Sequence, residues 1–349
     1  MGKHNVSELL LHNFPENGVK FLLHNPSNLQ DLLRWLAWHD QTLPDPGRFD
    51  FAKRSIEPDT LVRGDFSHGV TDLLVRLPFR LDDQTTEPIK VYLLFEHLSA
   101  HQRQIVPRSI GYAMDVYRLQ ERRWLQAQQS LQNFLYEVVM PVVIYTGERS
   151  WNEVTPFHKL VKGGEVFRKF IPAAEPLFLS LPAQTDDDFQ HGAALGATLR
   201  VLQQRHTRIE EFHVLLTEAV GRLEGQLPTD KNRLVELLTY LYALVYHFRN
   251  KKEREDLREE LERSIQTQVV RKEVHAMGQT IAEALREEGK LETTQQLLIS
   301  LLRHKFPTKV TAALKSRVER MKDVNKLEEW LRNVITAESL EEVGIPTRK

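Results

Sequence analysis

Residues 70–99, VTDLLVRLPFRLDDQTTEPIKVYLLFEHLS, constrain the fold more than any other stretch, because they read as two extended segments joined by a polar turn. Residues 70–79 alternate, with Leu73, Val75, Leu77 and Phe79 on one face and Asp72, Leu74 and Arg76 on the other, the period of a strand. Residues 89–95 are almost wholly apolar, as in a strand covered on both faces. Between them Asp82, Asp83, Gln84, Thr85 and Thr86, followed by Pro88, are turn formers, so an antiparallel hairpin is expected. With Gln84 at the middle of the turn, Asp72 and Glu96 are equally far from it and fall opposite each other at one end of the sheet. Two carboxylates that close repel unless positive charge lies between them. A hard divalent cation such as Mg²⁺ meets that need, binding through one or two carboxylates and keeping positions for water and phosphate. A pair of solvated strand-end acids is the alternative these residues leave open.

The chain has 349 residues, 41% hydrophobic and 27% charged, enough for two or three domains. It has no cysteine, which excludes disulfides, thiolate nucleophiles and cysteine-ligated zinc. No apolar run approaches the roughly 20 residues a membrane span needs, and the start, MGKHNVSELLLHNFPENG, lacks the apolar core and cleavage site of a signal peptide. A cytoplasmic location without membrane contact is therefore expected. Net charge is −1, so a polyanionic partner has to be met by a local basic patch.

In chain order, Val19, Phe21, Leu22 and Leu23 lead to the break at His24, Asn25 and Pro26, and Ser27 is placed to cap a helix through Leu29, Leu32, Leu33, Leu36 and Trp38. The pair resembles a helix-turn-helix in pattern, with polar residues read as solvated surface rather than a DNA-reading face; Lys20 stands out as a lone cation on an apolar turn. Residues 60–62 suggest a short strand. After residue 99 the period becomes helical, with Ile110, Met114, Tyr117 and Trp124 as an apolar face. Arg108, Arg118 and Arg122 are interleaved with it and suit phosphate contact, although a solvated helix face is the readier explanation of such arginines. Residues 138–145 form a buried strand by composition. Strand, strand, helix and strand, preceded by a helical pair, make an α/β core. His97 and His101 are four apart, but the strand ending near Glu96 and Leu98, where the zincin pattern has Glu after the first His, argue against a zinc motif.

Several segments resemble the recombination-promoting nuclease and transposase family, a branch of the PD-(D/E)XK nuclease superfamily: GVKFLLHNPSNLQDLLRWL, TDLLVRLPF, VYLLFEHLS, PRSIGYAMDVY and PVVIYTGERSW. The tail segments LLISLLRHKFP and LEEWLRNVITAESLEEV resemble the helical extension often attached to that family. The resemblance implies a restriction-endonuclease-like core, a mixed sheet flanked by helices, followed by an α-helical C-terminal region. It also implies DNA as partner and Mg²⁺, or Mn²⁺, held by Asp72 and Glu96, with Glu16 and Lys20 completing the catalytic set. Two positions depart from the pattern. Leu98 stands two after Glu96, where the superfamily has Lys and this branch usually Gln, and leucine has no atom with which to orient a water. Pro15 and Glu16 replace a His-Asp pair. Gln102 and Gln104 are candidates to reach in from the next turn.

Beyond Trp151 the sequence is less informative. Residues 170–182 are proline-punctuated, and Asp186, Asp187 and Asp188 read as caps for a helix beginning at Phe189. Residues 193–205, 209–223 and 232–247 are helical by period. Residues 250–289 read as one long charged helix ended by Gly289, with an intermittent stripe of Leu257, Leu261, Ile265, Val269, Met277, Ile281 and Leu285 that offers a surface for self-association. Helices at 293–304, 308–320 and 324–337 follow. The expected organisation is a nuclease-like domain over 1–181, a helical region over 182–249, the charged helix over 250–289 and a small tail domain over 290–349. The expected function is a Mg²⁺-dependent DNA endonuclease impaired by Leu98; the alternative is an inactive DNA-binding or self-assembling protein that keeps the fold.

Overall fold

The computed structural model describes Leu10, Phe14 and residues 16–57, 60–62, 68–70, 72–81, 88–127 and 130–346. Strands β2 (Thr60–Val62), β4 (Leu73–Phe79), β5 (Ile89–Leu98) and β6 (Val138–Tyr145) fall where the apolar runs and the short segment at 60–62 place them, while β1 (Ser55–Glu57), β3 (His68–Val70) and β7 (Leu177–Ser180) are strands the pattern did not mark. Five make one mixed sheet in the order β1-β4-β5-β6-β7, and β2 pairs with β3 in a separate ribbon. The hairpin of β4 and β5 is antiparallel, while β5, β6 and β7 run parallel. Leu73 lies opposite Phe95, so the next pair outward is Asp72 and Glu96, the register expected from the turn. The turn itself, at 82–87, lies outside the described residues.

Helix α1 (Glu16–Leu23) lies against β5 and helix α2 (Pro26–His39) against β7. The cap of α2 is Asn25 rather than Ser27: its side chain accepts from the Ser27 amide at 2.9 Å, with Pro26 opening the helix. Helix α3 (Ile105–Gln126) joins β5 to β6 and covers the other face, where Ala113 and Val116 meet Leu74, Tyr92, Leu94 and Val139. Its buried face runs through Val106, Ser109, Ala113, Val116 and Gln120, and Met114 is exposed. Of the expected apolar face, Ile110 and Tyr117 pack against buried apolar clusters and Met114 turns outward, while Gln120 is drawn inward. Its amide donates to the Glu137 carbonyl at 3.1 Å and accepts from the Glu137 amide at 2.8 Å, which docks the helix at the entry to β6.

The rest of the chain is helical: α4 (Asp188–His191), α5 (Ala193–Gln203), α6 (Ile209–Gln226), α7 (Lys231–Phe248), α8 (Lys251–Ser264), α9 (Gln268–Lys305), α10 (Ala312–Arg320) and α11 (Val324–Thr336). Two compact units comprise residues 1–278 and 279–349. In the first, Asn25, Asn28 and Asp31 of the α1–α2 pair are turned to α7 rather than to solvent, while Arg34 and His39 stay exposed. Arg233 of α7 donates from Nε to Asn28 Oδ1 at 2.8 Å and from Nη2 to Asp31, and Glu236 accepts from Asn25 and Asn28 at 3.0 and 3.3 Å. These three polar residues of the helical pair are thus committed to α7.

Three helical expectations are corrected. The charged helix of 250–289 is broken at residues 265–267, where Glu224 accepts from the Gln266 and Thr267 amides, each at 3.0 Å. That side chain satisfies a new helix start, so the buried stripe resumes at Val270 and Val274 while Val269 is exposed. Gly289 does not end a helix; α9 runs through it to Lys305 and absorbs the separate helix expected at 293–304, the roughly 1 kcal/mol cost of an internal glycine being outweighed by the helix formers around it. Asp187 makes no side-chain cap, because Asp188 turns back to accept from the Thr185 amide and hydroxyl at 2.6 and 2.7 Å and Asp186 pairs with Arg200 at 2.8 Å. The second unit closes over Leu298, Leu302, Val318, Leu327, Trp330 and Val334. Lys305 caps its last helix by donating to the Val334 and Ile335 carbonyls at 2.9 and 2.7 Å. Among the described residues no helix is long and apolar enough to cross a membrane.

Candidate functional site

Because β5 and β6 are parallel and β4 runs against them, the C-terminal ends of β5 and β6 share an edge with the start of β4. That edge is where open α/β sheets place ligands. It holds Asp72, Glu96, His97, Leu98 and Thr146, with the first turns of α3 above it. Asp72 accepts a hydrogen bond from the His97 backbone amide through Oδ2. Glu96 is 1% exposed, and its Oε2 is paired with Nη2 of Arg108. The other terminal nitrogen of Arg108 donates to Gln102 Oε1 at 2.9 Å. Burial acts to lower the Arg108 pKa, but the Glu96 carboxylate overrides it and, with a smaller contribution from Asp72, raises it. The positive charge that the paired acids require is thus supplied by a guanidinium.

Lys20 of α1 lines a small cleft together with Asp72, Glu96, Val19 and Phe95. Glu16 begins the same helix one turn earlier; its side chain lies outside the described residues. Arg118 and Arg122 are 10 and 14 residues beyond Arg108, roughly 15 and 21 Å along a helix rising 1.5 Å per residue. Arg118 pairs with Asp115 at 3.0 Å and Arg122 is exposed. Of the three arginines, Arg108 alone joins the carboxylates.

The two histidines go separate ways. His97 is buried, its Nε2 lies 2.7 Å from the Thr146 hydroxyl, and burial, reinforced by the charge of Arg205, pushes its pKa down to about 4. It is a neutral core histidine at neutral pH. His101 packs edge-on against Trp151 with ring centroids 4.4 Å apart. Leu98 is also committed to packing, in an apolar cluster with Ile105, Val106, Tyr145 and Trp151. Gln104 precedes α3 without a side-chain cap bond, and Gln102 meets the site through Arg108. Sequence reasoning marked Arg108 as a phosphate contact and missed it as the partner of Glu96. Its position in the first turn of a helix that follows the Glu96 strand after a short connection is the signal that could have found it.

The family model described as "Putative transposase, YhgA-like" matches residues 40–234, a span that includes Asp72, Glu96, Leu98 and Arg108. No curated protein and no solved structure matches the chain. With the match covering more than half of the residues, the chain belongs to the YhgA-like transposase family.

Proposed function

We propose that this protein is a Mg²⁺-dependent DNA endonuclease of the PD-(D/E)XK type, with phosphodiester hydrolysis centred on Asp72 and Glu96 and slowed by Leu98. The observation that carries the reading is the strand register that brings the two acids together at the sheet edge, with Lys20 in the same cleft. The donor set fits the ion. Mg²⁺ takes one or two carboxylates from protein and completes its shell with water and phosphate, and among the described residues no third His, Cys, Asp or Glu gathers with the pair, unlike a closed zinc site. Mn²⁺ suits the same oxygens.

Asp72 and Glu96 would hold the ion, which when bound supplies Lewis-acid stabilisation of the phosphate oxygens and a more acidic water. Arg108, with 36% of its side chain exposed, has room to turn from Glu96 to a phosphate, where its planar donors match two oxygens. Lys20 adds a second cation against the charge that develops on the phosphate. No side-chain nucleophile is required. Leu98 contributes nothing to orienting the attacking water, and loss of a positioned acid–base group lowers rates by a factor on the order of a hundred or more.

A second reading, a DNA-binding protein that keeps the fold without hydrolysis, is favoured by the same Leu98 packing and by the Arg108 guanidinium already seated on Glu96. Nicking of supercoiled plasmid with Mg²⁺, Mn²⁺ or EDTA separates the two. Metal-dependent nicking that disappears in Asp72→Ala and rises in Leu98→Gln supports the nuclease. DNA binding without nicking by the native protein or by Leu98→Gln supports the second reading.

A further inference from the structure

The connection from β6 to β7 carries six consecutive exposed residues, Glu165, Val166, Phe167, Arg168, Lys169 and Phe170. Val166, Phe167 and Phe170 are 82%, 58% and 77% exposed, a concentration of large apolar side chains that marks interaction surfaces. The segment is built rather than loose. Backbone bonds run from the Val161 amide to the His158 carbonyl, from Gly164 to Val161, from Phe167 to Gly163 and from Phe170 to Phe167, at 2.9 to 3.2 Å. Gly163 takes φ +75°, and a Cβ on Gly164 would stand 1.9 Å from the His158 carbonyl oxygen, so both glycines are required by the bend.

Its base is fixed beside the carboxylate edge. Trp151, Val154 and Phe157 pack in the cluster that contains Leu98, Ile105 and Val106, the residues flanking Glu96 and Arg108. Arg168 and Ile171 share a cleft with Val106. Charge then narrows the partner: residues 157–172 contain Lys159, Lys162, Arg168 and Lys169 against Glu165 alone, in a chain of net charge −1. A second apolar area around Leu125, Leu131 and Leu135 lacks this excess, since Arg123 there pairs with Glu57 at 2.6 Å.

We propose that the β6–β7 connection is a DNA wedge in which Phe167 and Phe170 stack on unpaired bases while Lys162, Arg168 and Lys169 hold the flanking phosphates. Aromatic faces accept any base that has left the stack, and cations beside them follow the backbone. The wedge deepens the reading of the site as a DNA-acting one, because it selects gapped or distorted DNA as the form presented to Asp72 and Glu96.

The test is binding of full-length protein in EDTA to a fluorescent duplex, to the same duplex with a central gap, and to phosphatidylserine vesicles. The native protein is expected to prefer gapped DNA. Phe167→Ala/Phe170→Ala should weaken gapped-DNA binding by roughly tenfold or more while changing intact-duplex binding by less than about twofold, given the usual loss per stacked base. Phe167→Tyr/Phe170→Tyr should restore the preference. Lys162→Gln/Arg168→Gln/Lys169→Gln should weaken both DNAs and flatten the salt dependence by about one unit of slope per lost phosphate contact. All the substituted side chains are exposed, and unchanged thermal unfolding verifies the fold. The proposal is overturned by no preference in the native protein, by an alanine variant that binds gapped DNA like the native, or by an alanine variant that loses vesicle binding alone. A Phe-dependent preference without plasmid nicking supports the wedge and removes the nuclease reading; Asp72-dependent nicking with no effect of the alanines does the reverse.

Discussion

Replacing Arg108 by methionine tests whether the guanidinium is the cation that makes the carboxylate pair tolerable. Glu96 is 1% exposed and the Arg108 side chain 36%, so the pair is buried at one end and open at the other. Removing one partner from a buried ion pair costs about 3–5 kcal/mol, whereas an exposed pair contributes about 0–1 kcal/mol; intermediate burial places the expected loss at roughly 2 kcal/mol. Methionine keeps an unbranched stem along α3, where Arg108 lies 5.7 Å from the centre of the Tyr112 ring, so packing changes little. Urea unfolding in EDTA of the native protein, Arg108→Met, Glu96→Gln and the double variant gives the coupling directly. A coupling of about 1.5–2 kcal/mol is expected. Adding Mg²⁺ should then stabilise Arg108→Met more than the native protein, because an ion on the acids no longer competes with the guanidinium; at a hundredfold excess over its Kd the gain is about 2.7 kcal/mol. That gain should vanish when Asp72→Ala is added. A coupling below about 0.5 kcal/mol, or equal Mg²⁺ stabilisation with and without Arg108, would refute the reasoning.

The Asp31–Arg233 pair is buried on both sides, at 7% and 8% side-chain exposure, and Arg233→Met should cost about 3–5 kcal/mol, with Asp31→Leu/Arg233→Met recovering part of it in the same urea assay. Burial is the main cause that raises Glu236 to a pKa of about 7 from 4.5, against opposing help from Asn25 and Arg233. Its folded-state pKa lies above the unfolded value, so its stabilisation is complete below pH 4.5 and is lost as pH rises through 7, on the order of 3 kcal/mol in all. His97, with its pKa lowered, contributes the opposite slope as pH rises from 4 to 6.5; the Glu236 contribution is therefore read as the difference in stability between native protein and Glu236→Gln across pH 4 to 8, and equal slopes would exclude it. Leu98→Gln should lower stability by about 1–3 kcal/mol, since an amide replaces an apolar side chain in a closed cluster; thermal unfolding measures it, and an unchanged midpoint would mean that the new side chain escapes to the edge.

The hairpin was legible because a period of two, an apolar run and a polar turn each point to one register, and that register alone opposes Asp72 and Glu96. The partner of Glu96 was not, since the reach of Arg108 depends on how residues 99–104 lead into α3 and on the docking of that helix through Gln120 and Glu137. The break at 265–267 escaped for a similar reason: the groups that cap it come from Glu224, forty-two residues away from Gln266. Gly289 shows the converse error, a local stop signal overridden by a helix that continues to Lys305. Asn28 and Asp31 carried a polar pattern with no sign that Arg233 and Glu236 would bury it.

Leu98 joins these threads. The pleat of β5 turns Leu94, Glu96 and Leu98 to the same side, toward α3, where Leu94 meets Val116 and Leu98 meets Ile105 and Val106. A polar residue at this position could face the carboxylates, but a leucine closes the apolar cluster that ties the start of α3, and with it Arg108, to the strand end. The same cluster takes in Trp151 and Val154 at the base of the β6–β7 connection. Under the proposed nuclease reading, Leu98 stands where a water-orienting group would be and instead packs the cluster from which the start of α3 and the base of the β6–β7 connection both rise. On this reading Leu98→Gln gains a hydrogen-bonding atom at the site while loosening both, so the rise in nicking should be larger at high salt, where the loosened phosphate contacts are already screened, than at low salt.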